Sequence, residues 1–178
     1  MATTTFRKLA FLALLGFLAL PVSGMTVSVV PAEGKDYAPP PDGSGSPLGF
    51  LTSGCMGVLF DSGWIVTDAD VFRGPRAAWK PADYALPEAR EGLVDFLIAI
   101  YVDWAPSSFH DGTLLPARVA YSLVRVADGK TMIEGEVEGS PDSEEASKHF
   151  ADAAARVGER VAQACAKPLK TLAMGGEL

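Results

Sequence analysis

Asp68-Ala69-Asp70 places two carboxylates one residue apart, a spacing that two ligands of a divalent cation can adopt. A metal centre needs more oxygen ligands than this pair offers, so both are read as ordinary caps of the following turn. His110 beside Asp111 has the residue types of an acid–base pair. Side chains adjacent in sequence rarely reach the required geometry, and His110 reads as a solvated loop histidine. Cys55 and Cys165 could form a bridge in an oxidising compartment. The alternative for these two is a pair of separately buried thiols acting as small apolar residues. No catalytic residues, metal ligands or cofactor-binding residues emerge from these candidates, and the chain is not expected to be an enzyme.

The elements that would position such groups are clearer. Phe96 to Val102 is an unbroken apolar run rich in β-branched and aromatic residues, followed by Asp103-Trp104. It has no polar face, which is the mark of a strand covered on both sides. This run is expected to be the central strand, ending at Ala105-Pro106. Thr26 to Val30 forms a first strand stopped by Pro31. Ser46-Pro47 starts a helix in which Leu48, Leu51, Cys55 and Leu59 share one face and Gly63 gives the stop. Its glycines Gly49, Gly54 and Gly57 suit close packing on a sheet. Trp64 to Thr67 is the second strand, parallel to the first by a right-handed crossover. Pro87 to Glu91 is a short helix stopped near Gly92.

Arg118 to Val126 and Thr131 to Glu138 flank Asp128-Gly129, a hairpin signal. A two-residue turn there would set Val124 opposite Ile133, Ser122 opposite Gly135 and Ala120 opposite Val137. Glu134, Glu136 and Glu138 would guard an exposed edge. Ser140 to Glu145 opens a last helix with the stripe Ala146, Phe150, Ala153, Val157, Val161 and Cys165, ended by Lys167-Pro168. The fold class is therefore α/β: a single domain with a mixed sheet of about five strands in the order strand-helix-strand-helix-strand-strand-strand-helix, the helices packed on the sheet. The domain is expected over residues 25–168, with a flexible Pro/Gly/Ser loop at 32–46 and a frayed tail at 169–178.

Arg7-Lys8 followed by the apolar run Leu9–Leu20 and the small residues Val22-Ser23-Gly24 has the layout of a secretory signal peptide over residues 1–24. Cleavage is expected near Gly24, giving an exported, periplasmic protein. No cysteine stands near the junction to serve as a lipobox, and no transmembrane segment is expected in the mature chain. The whole chain carries 22 acidic and 15 basic residues, a net charge of −7. Removing Arg7 and Lys8 makes the mature chain more acidic still, which argues against nucleic acid as a partner.

The order of elements, with Gly63 to Thr67, Asp95 to Ile98 and Tyr121 to Gly135, resembles a group of bacterial envelope proteins. The group comprises the curli-secretion channel subunit family, the lipoprotein activators of penicillin-binding proteins and the TolB amino-terminal domain. The resemblance implies a non-enzymatic accessory or assembly role, a protein partner in the envelope, and no catalytic residues to carry over. The missing lipobox cysteine departs from the lipoprotein members.

Gly54 to Asp70 also looks like the segment around the catalytic histidine of trypsin-like serine proteases, but Asp70 stands where that histidine would be. Aspartate is no substitute for imidazole as the base, and no Gly-Asp-Ser-Gly segment follows. The expected function is an exported accessory protein working through protein–protein contacts. A small-molecule binding module and an inactive trypsin-like fold are the alternatives. A contact surface is sought first in the loops after the parallel strands, at Tyr37 to Ser46 and Asp68 to Trp79. The candidate contact residues are Phe72, Arg73, Arg76, Trp79 and Lys80, a basic and aromatic cluster on an acidic chain.

Overall fold

The computed structural model describes residues 24–34, 46–110 and 112–175. The expected leader up to Ser23, residues 35–45 of the Pro/Gly/Ser loop, Asp111 and residues 176–178 lie outside them. At the centre is β4 (Phe96–Pro106), buried from Phe96 to Val102. It pairs in parallel with β1 (Thr26–Glu33), Val27 against Phe96, and antiparallel with β5 (Leu114–Arg125), Phe96 against Arg125. The hairpin strand β6 (Lys130–Glu138) forms one edge. On the other side β1 carries two short parallel strands, β2 (Ile65–Asp68) and β3 (Phe72–Arg73). The sheet thus has six strands, ordered β2-β1-β4-β5-β6 with β3 beside β1. The expected α/β domain with a mixed sheet is the fold observed.

Pro31 behaves differently from expectation. β1 does not stop at Pro31 but runs on to Glu33, so the strand takes the first two residues assigned to the loop. Val29 and Glu33 turn their carbonyls outward to Ala69 N–H and Gly74 N–H. Pro31 shares their alternation, so its missing N–H points into the gap between β2 and β3, where there is no ladder to interrupt. β4 ends at Pro106, as expected, beyond an irregularity in its pairing between Asp103 and Trp104.

Helices α1 (Pro47–Asp61) and α5 (Phe150–Ala173) cover one face of the sheet, over Val29, Ile98, Ile100, Val119 and Leu123. Leu48, Leu51, Cys55 and Leu59 are all buried, as their spacing requires. The glycines act otherwise than expected. A Cβ on Gly54 would stand 2.2 Å from the Ala155 carbonyl oxygen of α5, and one on Gly158 would stand 1.9 Å from that of Leu51. The two helix backbones touch, so the close packing is helix on helix rather than helix on sheet. Gly49 and Gly57 face open space.

α5 passes through Pro168, where a stop was expected, and reaches Ala173. An internal proline costs about 3 kcal/mol. Leu169 is fully buried and Leu172 packs on the same core. Burial of such side chains is worth roughly 1.5–3 kcal/mol each, enough to carry the helix past the proline. The short α4 (Glu144–Lys148) precedes it, with Ser143 Oγ accepting the Ala146 N–H at 3.2 Å.

The opposite face is covered in part, by α2 (Pro81–Tyr84) and α3 (Leu86–Glu91), which lay Ala85, Leu86 and Ala89 over Val30, Leu97, Ala99 and Val124. The hairpin is corrected by one residue. Leu123 faces Ile133, Tyr121 faces Gly135 and Val119 faces Val137. The reversal occupies Val126 to Gly129, with Gly129 N–H donating to the Arg125 carbonyl at 2.9 Å. Val126 is drawn into the core of this second face, which lengthens the turn. A pairing irregularity between Leu123 and Val124 completes the shift. Glu134 and Glu136 consequently stand opposite Ser122 and Ala120.

Candidate functional site at the carboxyl ends of the parallel strands

The last residue of β1 organises this end. Glu33 is completely buried, yet both its carboxylate oxygens are satisfied. Arg73 Nε donates to Oε1 at 3.1 Å and Trp104 Nε1 donates to Oε2 at 3.2 Å. A carboxylate in this position needs such partners, because desolvation without them would outweigh everything else at the site. Arg73 comes from β3 and Trp104 from the far end of β4, so the charge ties the loop after β2 to the sheet.

Neighbouring groups repeat the pattern. Tyr101 Oη donates to the Gly74 carbonyl at 2.9 Å, and the Trp79 ring lies 5.5 Å from that of Tyr101. Trp79 Nε1 donates to Tyr84 Oη at 3.2 Å, while Phe72 stacks on Tyr84 at 4.9 Å. Arg76, on a short 3-10 turn (Arg76–Ala78), reaches Asp103 at 3.0 Å and also Glu136 of the hairpin. The Glu136 hydrogen bond is the main reason that the Arg76 guanidinium is pushed above its usual range. The same bond holds the Glu136 carboxyl below the usual carboxylate range.

The structure brings the candidate contact residues together but spends most of them internally. Phe72 and Trp79 are half-buried in aromatic contacts, and Arg73 and Arg76 answer acidic side chains of their own chain. Lys80 is exposed and makes no ion pair among the described residues. Asp68 and Asp70 are both exposed, and Ala69 between them donates its N–H to Val29. His110 is exposed in the turn between β4 and β5. Sequence reasoning missed Glu33, Tyr101, Asp103, Trp104 and Glu136. One signal was available, the polar Asp103-Trp104 closing a wholly apolar strand. Glu33 and Glu136 have no local signal, since their partners lie tens of residues away.

Beside this cluster a hollow of about 270 Å³ opens between the β5–β6 ends and α4–α5, lined by Leu115, Ser143, His149, Val157, Arg156 and Arg160. Arg160 donates to the Glu138 carbonyl at 2.8 Å, and His149 lies 3.6 Å from Glu145. Cys55 and Cys165 are buried in the α1–α5 layer, on the same side of the sheet, as free thiols. Burial raises both thiol pKa values, that of Cys165 to about 12.

No family model matches the chain, and no curated protein matches it. Solved structures do. A PelC dodecamer from Paraburkholderia phytofirmans is 20% identical, with 78% of this chain and 84% of that chain covered and a TM-score of 0.42. Protein XCC0632 from Xanthomonas campestris, of family DUF330, is 17% identical over 84% of this chain and 87% of that one, with a TM-score of 0.46. TolB from Acinetobacter baumannii is 9% identical over 77% of this chain and 29% of its own, with a TM-score of 0.38. TolB is also among the proteins of the group that the sequence resembles.

Proposed function

We propose that this is an exported periplasmic accessory or assembly protein that acts through protein–protein contacts in the cell envelope. One observation carries the reading: the charged and aromatic residues at the carboxyl ends of the parallel strands are used to hold a loop in place, not to present a reacting group. Glu33, Asp103 and Glu136 are each engaged by an arginine. The result is a rigid platform, bordered by exposed Lys80, at the place where open α/β sheets commonly bind. The leader-like segment up to Gly24 supports export. The hollow with Arg156 and Arg160 favours a second reading, binding of a small anionic molecule.

The two readings part in one experiment. A photo-crosslinking residue is placed at Lys80 in living cells, with a second at the exposed Asp152 on α5 as reference. A discrete adduct to an envelope protein from position 80, absent from 152, is the expected result. No adduct from position 80 would remove the protein-contact reading at this loop. Fractionation of the same cells should find the protein in the periplasm with a chain starting near Met25. Cytosolic retention would end the export reading.

A further inference from the structure

The hollow between the β5–β6 ends and α4–α5 has an apolar floor and a charged rim. Leu115, Pro116 and Val157 line it and are buried. One wall is backbone. A Cβ on Gly139 would stand 1.6 Å from the Pro116 carbonyl oxygen, so glycine is what lets the chain lie this close to β5. On the rim, Arg156 and Arg160 come from successive turns of α5, and both are exposed.

These two arginines are not spent inside the fold. Like charges one helical turn apart disfavour a helix. Arg156 nevertheless has no ion pair or hydrogen bond among the described residues. Arg160 uses only Nη1, on the Glu138 carbonyl at 2.8 Å. The neighbouring acids are engaged elsewhere. Glu144 pairs with Lys148 at 2.7 Å, and Asp142 accepts from Ser108 at 3.0 Å. Glu145, the one acid in the lining, lies 3.6 Å from His149. At the Glu33 cluster, by contrast, Arg73 and Arg76 each have their carboxylate. Two guanidinium groups thus stand beside an apolar recess, on a chain of net charge −7.

We infer that this hollow binds a small monocarboxylate with a compact apolar body, an inference that rests on the small-anion reading above and names its ligand class. The carboxylate takes Arg156 and the unused N–H groups of Arg160, because a planar guanidinium fork matches its two oxygens. The apolar body covers Leu115, Pro116 and Val157 and removes their surface from water. The hollow's 270 Å³ lies just under the roughly 300–1,000 Å³ of sites for drug-sized ligands. The body is therefore a single ring or a short branched chain rather than a long acyl tail. Glu145 in the same lining opposes a second negative charge, which favours a carboxylate over a phosphate dianion.

The test titrates protein purified from cells expressing the full chain with four probes: 3-phenylpropionate, its amide, acetate and inorganic phosphate. Binding is followed by NMR. The expected result is that 3-phenylpropionate binds one site, at least tenfold more tightly than the other three, and more weakly as salt is raised. Arg156→Gln with Arg160→Gln should weaken it at least tenfold. Ala153→Leu, which fills the hollow, should do the same at an unchanged melting temperature. The comparison of probes needs no variant, so it stands even where a substitution impairs folding. Acetate or phosphate binding through the arginines as tightly as 3-phenylpropionate would overturn the apolar monocarboxylate and leave the small-anion reading in place. Binding of none of the three anions would overturn both. Binding of 3-phenylpropionate that the arginine changes leave intact would place it elsewhere and overturn the inference.

Discussion

At the carboxyl ends of β1 and β4, Glu33, Asp103, Arg73 and Arg76 are paired with one another and with Trp104, and aromatic rings close over them. At the amino ends of the same strands, Ile65, Leu93 and Met174 are exposed among the described residues. The strands that connect these ends are identical, so the difference comes from the loops. After β2 the chain turns back across the sheet and must satisfy a buried carboxylate. Before β4 it leaves α3 through one strained residue, Leu93 (φ 55°), and exposes it. Polar groups at a strand end need partners supplied by a returning loop, whereas apolar tips need none from their own chain.

The widest break would open both ends at once. Gly158→Val forces a side chain into the Leu51 carbonyl, and α1 and α5 must separate. A loss of about 3 kcal/mol or more is expected in urea unfolding, or no folded protein at all. Retained stability would mean that the helices tolerate separation. Next, Arg73→Ala leaves Glu33 buried without its cation. Stability should fall by about 2–3 kcal/mol, less than for a fully enclosed pair because Arg73 is half exposed, and hydrogen exchange should quicken in residues 69–81 but not at 93–96. Adding Glu33→Gln should return part of the loss.

The layer between the two ends has its own test. Burial raises both thiol pKa values, so their stabilisation is complete below the unfolded-chain value near 8.5 and declines as pH rises above it. The reduced protein should lose up to about 2 kcal/mol per thiol between pH 8.5 and 10. The exported protein is proposed to carry a Cys55–Cys165 bond, and that form should be flat over the same range. Thiol labelling of the denatured, non-reduced protein from the periplasm distinguishes them directly. Full labelling of both cysteines would reject the bond.

Leu93→Gly sharpens the comparison from the amino end, with an expected gain of about 1 kcal/mol from relief of the left-handed backbone. A loss there would mean that the leucine side chain packs on the fold after all. The smallest effect belongs to Arg76→Ala, whose partners are both partly exposed. It should cost under about 1 kcal/mol and lessen further in high salt.

Local chemistry was enough to determine much of this protein. The apolar run Phe96 to Val102 announced a covered strand, the spacing of Leu48, Leu51, Cys55 and Leu59 announced a helix face, and Asp128-Gly129 announced the reversal. Those signals are local because periodicity and turn conformations are properties of neighbouring residues. Tertiary structure decided the rest. Whether Pro31 ends a strand depended on which side its absent N–H faced. Whether Pro168 ends a helix depended on the burial of Leu169, and the hairpin register depended on the burial of Val126. The Glu33 cluster joins residues 33, 73 and 104, and the exposed Ile65, Leu93 and Met174 come from three segments. Neither arrangement leaves a pattern along the chain, because burial and charge pairing are set by what lies across space, and only the completed sheet brings those partners within reach.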